Sequence, residues 1–431
     1  MRGSGRYTII AGCLLLGMVI LEPDGTAPVD GRSHHVGPRR VDTVVRQRER
    51  ARNVIVLQGD GLGAAQRDLI RLAGVGCTSE LWMDRLDHAG LIRTDPDGPN
   101  GVVTDSAASA TAFATGFKTF NGAVGLDAEG RPRPTLLEDA GRTGKATGLV
   151  TTAQVTDASP AAYAAHVDDR RRQSEIALQY LESSKPDIIL GGGEDWWYPT
   201  RDPGAHPDAP RTDPTETSRS THGNLVERAQ ELGYDYVTDA AELHATVGDK
   251  VLGLFANERM FEDPEEGHGD RYEPVVPLPE MAEKALELLS RDPDGFFVFI
   301  EEEAIDGMAH QNNARLMIQP GLAFDETVGV AVRFARRNPG TLIVAQGDHE
   351  TGGLIIQHGD DEDDAGGDRP RENGPFIVPG TDLPIVAGWT TTRHTGAPTP
   401  ITASGPGAED FDGVIDNTEV HTIISRAMRG Q

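Results

Sequence analysis

Thr104-Asp105-Ser106 runs straight into Ala107-Ala108-Ser109-Ala110-Thr111-Ala112, small residues with good helix tolerance. Asp105 or Thr104 is suited to cap a helix there, which sets Ser106 in its first turn. Unpaired backbone N–H groups and the positive end of the helix dipole then face the hydroxyl, favouring an alkoxide or a phosphate on it. An ordinary capped, alanine-rich core helix has the same pattern, so partners must decide. Candidates are Asp60, Asp157, Glu301, Asp306, His310, Asp348, His349 and His394. Asp306 and His310 stand four apart, which on a helix puts both on one face and suits one metal ion. Asp348 and His349 are adjacent where a tight turn can aim both inward, and His394 sits in the polar turn Arg393-His394-Thr395-Gly396. Singly each has a dull explanation. Together, carboxylates, histidines and a capped serine favour a multi-metal site.

These residues follow a repeated pattern of elements. Asn53–Gln58 is a short apolar run of the kind that forms a buried parallel strand, and it ends in Gly59-Asp60-Gly61-Leu62-Gly63. Further strands are predicted near Ala146–Thr152, Pro186–Leu190, Val251–Ala256, Phe296–Ile300 and Thr341–Gln346. Helical patterns fall near Pro134–Gly141, Leu225–Leu232, Met281–Leu289 and Val328–Ala335. This alternation predicts an α/β fold: a central, largely parallel sheet with helices on both faces and loop insertions. The polar groups then cluster beyond the strands' C-terminal ends, where such sheets place their sites. Trp196–His222, Asn257–Pro279 and Gly359–Gly374 are predicted as solvated insertions.

Asp and Glu number 68 against 40 Lys and Arg, a balance that argues against nucleic acid or anionic membrane surfaces as partners. Residues 1–28 are predicted as an export signal, with the apolar run Thr8–Ile20 too short for a comfortable span; an uncleaved anchor is the alternative. With a cleaved signal, no stable membrane association is expected. Residues 29–50 are predicted as a polar arm and 51–431 as the catalytic domain. Loss of the signal leaves Cys77 as the sole cysteine, so metals must be held by carboxylates, imidazoles and hydroxyls.

From about Asn53 onward the chain resembles the alkaline phosphatase family. The resemblance rests on Val54–Gly63, Thr104–Ala112 continuing into Lys118–Gly122, Val155–Ala161, the spacing of Glu301, Asp306 and His310, and Gly347-Asp348-His349 with His394-Thr395-Gly396. It implies two zinc ions and one magnesium ion per subunit. Asp306, His310 and His394 would hold one zinc; Asp60, Asp348 and His349, with Ser106, the other. Asp60, Ser159 and Glu301 would serve magnesium, with Asp157 acting directly or through water. Ser106 would be the nucleophile of a phosphoserine route, and Arg170 would grip two phosphate oxygens with its planar fork. A solvated charge cluster with Asp168, Asp169, Arg171 and Arg172 is the alternative for Arg170. The implied function is an exported phosphomonoesterase that scavenges phosphate from small esters, with a homodimer as the family's common assembly. A phosphodiesterase of the same superfamily and a non-catalytic phosphate- or metal-binding protein are the rival readings.

The sequence departs from the family at Gly307, where well-studied members place a basic or aromatic side chain near phosphate. Asp157 in place of a histidine favours magnesium over zinc at the third site. If the strand through Glu301 continues, Glu303 points to the same side, as a salt-bridged neighbour or a further ligand. His166 is expected to be a hydrogen-bonded structural histidine, and Trp196 and Trp197 either line the site mouth or pack on the core.

Overall fold

The computed structural model describes residues 49–98, 101–206, 217–261, 272–359 and 372–431. The expected signal and most of the polar arm lie outside these residues. In chain order the strands are β1 (Asn53–Gly59), β2 (His88–Arg93), β3 (Ala146–Gln154), β4 (Ile188–Gly192), β5 (Asp235–Val237), β6 (Val251–Leu254), β7 (Phe296–Glu302) and β8 (Thr341–Gly347). They continue with β9 (Glu350–Thr351), β10 (Leu354–His358), β11 (Glu372–Ile377), β12 (Pro384–Trp389), β13 (His394–Thr395), β14 (Thr399–Ser404) and β15 (Gly413–Asp416). Ten of them form one sheet in the order β15-β2-β14-β8-β1-β7-β3-β4-β6-β5. Only β14 runs against the others, pairing antiparallel with both β2 and β8.

β1 shows why the sheet is sandwiched. Val54 and Val56 pack into the layer containing helices Ser106–Thr115 and Asn417–Arg429, while Ile55 and Leu57 pack into the opposite layer with helices Leu278–Leu289 and Ala314–Arg337. Alternate side chains go to opposite faces, so a strand covered on both sides is apolar throughout. β1 pairs in parallel with β7 and β8, aligning Gly59 with Glu302 and with Gly347. That register sets Asp60, Glu301 and Asp348 side by side at one end of the sheet.

Two elements differ from expectation. The helix expected over Val328–Ala335 extends from Ala314 to Arg337 and contains Pro320. An internal proline normally breaks a helix; here the buried face, including Met317, Phe324 and Val328, holds it together across that point. The Trp196–His222 segment is not merely solvated: Trp197 is fully buried, and Trp196 donates its indole N–H to Gln154.

Candidate metal and nucleophile site

Ser106 is the first residue of the helix Ser106–Thr115, and Asp105 is its cap, accepting from Ala108 N at 2.9 Å through Oδ1. The second oxygen of Asp105 accepts from Gly122 N at 2.9 Å, tying the helix start to the following loop. Ser109 donates to the Asp348 carbonyl at 2.8 Å, which docks the helix against the end of β8. Ser106 is 5 % exposed, and its hydroxyl lies 3.2 Å from His349 Nε2.

His349 Nε2 also lies 3.4 Å from Asp60 Oδ1 and 3.3 Å from Asp348 Oδ2. Asp60, Asp348 and His349 thus form one convergence of ligand atoms. The turn after β1 makes this possible: Gly61 has φ +66° and donates its N–H to Asp348 Oδ1 at 3.0 Å. A Cβ on Gly61 would come within 2.8 Å of Asp306.

Beside it, His310 Nε2 approaches Asp306 Oδ2 at 3.1 Å and His394 Nε2 at 3.0 Å, while His394 Nε2 lies 3.6 Å from Asp306 Oδ1. Asp306 and His310 sit on the short helix Ala304–His310, so the four-residue spacing places them on one face as expected. His394 arrives on β13, which pairs with β9 immediately after Asp348-His349.

The hydrogen bonds behind the rings assign their tautomers. His310 Nδ1 donates to the Thr392 carbonyl at 2.8 Å, and His394 Nδ1 donates to the Thr104 carbonyl at 2.9 Å. Thr351 gives its hydroxyl proton to Asp306, so it accepts from His349 Nδ1 at 3.2 Å. All three histidines therefore aim an Nε2 lone pair into the cluster, the arrangement that outer hydrogen bonds impose on metal-binding imidazoles. With both rings neutral, two lone pairs 3.0 Å apart would repel, so a proton or a metal ion must lie between them.

The electrostatics agree. Burial, then Asp348 and Asp306, push the Asp60 carboxyl well above its ordinary range. Burial and Asp306 push Asp348 up to about 7. Burial disfavours charge on His310, but its hydrogen bond to Asp306 overrides this and pushes it up to about 9, so the lone pair on its Nε2 is freed only when a metal ion displaces that proton. Burial and the neighbouring His394 hold His349 well below the usual imidazole range. Asp60 Oδ1 and Asp348 Oδ2 are buried without a hydrogen-bond donor. Crowded carboxylates with orphaned oxygens facing imidazole lone pairs lack positive charge, and the donor set suits borderline cations such as zinc. These residues fit the zinc ions that the family resemblance implies.

A third group adjoins them. Gln58 donates to Ser159 Oγ at 2.9 Å, and Thr151 donates to Glu301 Oε2 at 2.6 Å. Asp157, Ser159, Glu301 and Asp60 line one cavity of 370 Å³ with Ser106, Asp306, His310 and His394. This all-oxygen neighbourhood suits magnesium. Arg170 also lines the cavity; it binds Asp157 at 2.8 Å and lies 3.6 Å from Asp105. Arg171 and Arg172 instead pair outward with Asp169 and Asp168.

Every candidate named from the sequence falls in this region. His166 lies elsewhere, between the Gly125 carbonyl at 2.8 Å and Glu138 at 3.0 Å, as expected of a structural histidine. Neither Trp196 nor Trp197 lines the cavity. β7 stops at Glu302, yet Glu303 turns toward the cavity at the head of the next helix and meets Arg259 at 3.5 Å. Arg259 was missed, because its segment reads as a solvated insertion. The flanking Met260 and Phe261 were the available signal, since two large apolar residues beside an arginine mark an anchored turn.

Comparison with known proteins agrees with the geometry. The family model for alkaline phosphatase matches residues 51–367. Streptomycin-6-phosphate phosphatase of Streptomyces griseus is 36 % identical, over 88 % of this chain and 90 % of its own. Alkaline phosphatase 4 of Bacillus subtilis is 30 % identical, over 88 % of this chain and 89 % of its own. A structure of TAB5 alkaline phosphatase carrying a histidine-to-aspartate change, with magnesium in its M3 site, superposes with a TM-score of 0.69 at 27 % identity, covering 89 % of this chain and 99 % of that one. The chain belongs to the alkaline phosphatase family, metal-dependent phosphatases that work through a phosphoserine.

Proposed function

We infer that residues 51–431 form an exported phosphomonoesterase that works at alkaline pH on small phosphate monoesters and so scavenges phosphate. The observation that carries this is Ser106, capped at a helix start and 3.2 Å from His349 Nε2, in one cluster with Asp60 and Asp348, with Asp306, His310 and His394, and with Arg170. Asp306, His310 and His394 would hold one zinc ion, and Asp60, Asp348 and His349 the second. Asp60, Asp157, Ser159 and Glu301 would hold magnesium; the TAB5 variant with aspartate for histidine and magnesium in its M3 site supports that choice of metal. When bound, such ions supply Lewis acidity at the serine, phosphoryl and leaving-group oxygens.

The protein's own groups do the rest. The helix start and the Asp105 cap fix Ser106 Oγ and favour its anionic form. Arg170, oriented by Asp157 and Asp105, presents its guanidinium to the nonbridging oxygens of the phosphoryl group. The Nδ1–H bonds to Thr392, Thr104 and Thr351 keep the imidazoles in one tautomer throughout. Export is supported by the apolar run Thr8–Ile20, and no helix among the described residues is long and apolar enough to cross a membrane.

The test is p-nitrophenyl phosphate hydrolysis at alkaline pH by the wild type and Ser106→Ala, after chelation and after adding back zinc and magnesium. Activity that follows the metals and vanishes in Ser106→Ala is expected. Chelation-resistant activity, or activity surviving in Ser106→Ala, overturns the mechanism. Faster cleavage of bis-p-nitrophenyl phosphate overturns the monoesterase assignment. Streptomycin 6-phosphate is a second substrate to include, because one relative is named for it.

A further inference from the structure

Besides the proposed metal ligands, two guanidinium groups line the cavity: Arg170 and Arg259. We propose that Arg259 is a second substrate-contacting cation, which binds the phosphoryl group of the ester and the inorganic phosphate product. The proposal deepens the phosphomonoesterase reading and rests on it.

The placement of Arg259 is built into the backbone. Its segment leaves β6 and is pinned at once, with the Ala256 carbonyl accepting from Gly193 N at 3.1 Å and Glu194 N at 3.0 Å. Asn257 O accepts from Asp195 N at 3.1 Å, and Met260 N donates to the Thr152 carbonyl at the end of β3 at 2.9 Å. Met260 and Phe261 are 4 % and 2 % exposed and belong to the core under the site. With backbone and both following side chains fixed, the intervening arginine is directed at the cavity mouth. There its Nε lies 3.5 Å from Glu303 Oε1, and its charge reaches Asp157, the residue that orients Arg170.

Gly307 lies against the same segment. It lines the same cavity, and a Cβ there would stand 3.3 Å from the Phe261 ring and 3.7 Å from Glu303 Oε2. A side chain at 307 would press its Cβ on the Phe261 ring, close to Arg259 in the chain, and would extend into the cavity that Arg259 lines. The bare position and the arginine are thus linked: the helix carrying Asp306 contributes no side chain at 307, and the strand-end segment contributes the cation. Asp60, Asp157, Glu301 and Asp306 would be offset by the ions they hold, which leaves Glu303 on the cavity wall to repel a phosphate dianion. A guanidinium there offsets this repulsion and can give a charge-assisted hydrogen bond to a phosphoryl oxygen.

The decisive readout is the inhibition constant of inorganic phosphate, which has no leaving group, in the metal-loaded wild type, Arg259→Ala and Arg259→Lys. Arg259→Ala should raise both that constant and the KM for p-nitrophenyl phosphate about tenfold, the scale of one exposed charge-assisted hydrogen bond. Arg259→Lys should recover part of the loss, with zinc and magnesium contents equal to wild type. Three results overturn the proposal. One is an unchanged phosphate constant in Arg259→Ala. Another is a change confined to esters whose leaving group carries its own anion, which makes Arg259 a leaving-group selector. The last is a loss that tracks metal content, which makes it structural. An inactive wild type would instead fail the phosphomonoesterase reading itself, before any variant is compared.

Discussion

Asp105 performs three tasks with one carboxylate, and its replacement should separate them. Oδ1 caps the Ser106 helix, Oδ2 accepts from Gly122 N, and the same oxygen faces Arg170 at 3.6 Å. In Asp105→Ala the cap is lost at about 1 kcal/mol. The Gly122 N–H also loses its acceptor, a further 1–2 kcal/mol or so if it stays away from water. The sum, roughly 2–3 kcal/mol, corresponds to a fall in Tm of about 2.5–4 °C for a domain of this size. Asp105→Asn retains one carbonyl oxygen for the cap but turns an amide donor toward Gly122 N, so about half that loss is expected. Activity should fall further than stability. Ser106 loses the fixed first turn and Arg170 one of its two carboxylate partners, and misplacement by about 1 Å costs near a hundredfold. We expect kcat/KM down by about 10–100-fold in Asp105→Ala, measured with p-nitrophenyl phosphate alongside scanning calorimetry. An Asp105→Ala protein with wild-type Tm and wild-type kcat/KM would refute the reasoning.

Three further outcomes follow from the geometry. Thr351→Val removes the hydroxyl between Asp306 and His349 Nδ1, and should weaken zinc retention about 10–100-fold in a chelator competition. Gly61→Ala forces a side chain into positive φ and against Asp306; it should cost at least about 1–2 kcal/mol and lower metal content at equal protein concentration. The third concerns pH. Burial opposes charge on both Glu138 and His166, but their mutual hydrogen bond dominates, lowering Glu138 and raising His166. Glu138's contribution is present above its unfolded pKa and is lost as pH falls through its folded one. His166's contribution is present below its unfolded pKa and is lost as pH rises through its folded one. The pair is therefore worth most between about pH 4.5 and 6.5. Glu138→Gln should lower Tm more at about pH 5.5 than at about pH 9, and an equal loss at both would discount the ion pair.

What could be read in the sequence was whatever has a local signature. Apolar runs ending in Gly-Asp or Gly-Asp-His gave the central strands and their terminal carboxylates, because a buried parallel strand must be apolar on both faces. Asp306 and His310 were legible because helical spacing alone places them together. Other features have no local signature. The reversed β14 is a short run, Thr399–Ser404, whose direction is set by its neighbours. The acceptors behind His310 and His394 are backbone carbonyls, which any residue type could provide. Arg259 lay in a charged, proline-rich stretch whose composition hid two anchoring apolar side chains. The C-terminal helix Asn417–Arg429 is different: its capping box, Asp416 with Glu419, was there to be read.

The pairing of β13 with β9 has a consequence for biosynthesis. It delivers His394 to Asp306 and His310, yet His394 is translated more than three hundred residues after Asp60. At ordinary elongation rates that interval is roughly 15–70 s, during which Asp60 and Ser106 are already made and the last histidine is not. No nascent fragment that ends before His394 can own the complete proposed ligand set. On the proposed ligand set, hydrolytic capacity therefore arrives only once His394 has been made. A ribosome that stalls before Arg393 leaves a chain bearing Ser106, the proposed nucleophile, without His394.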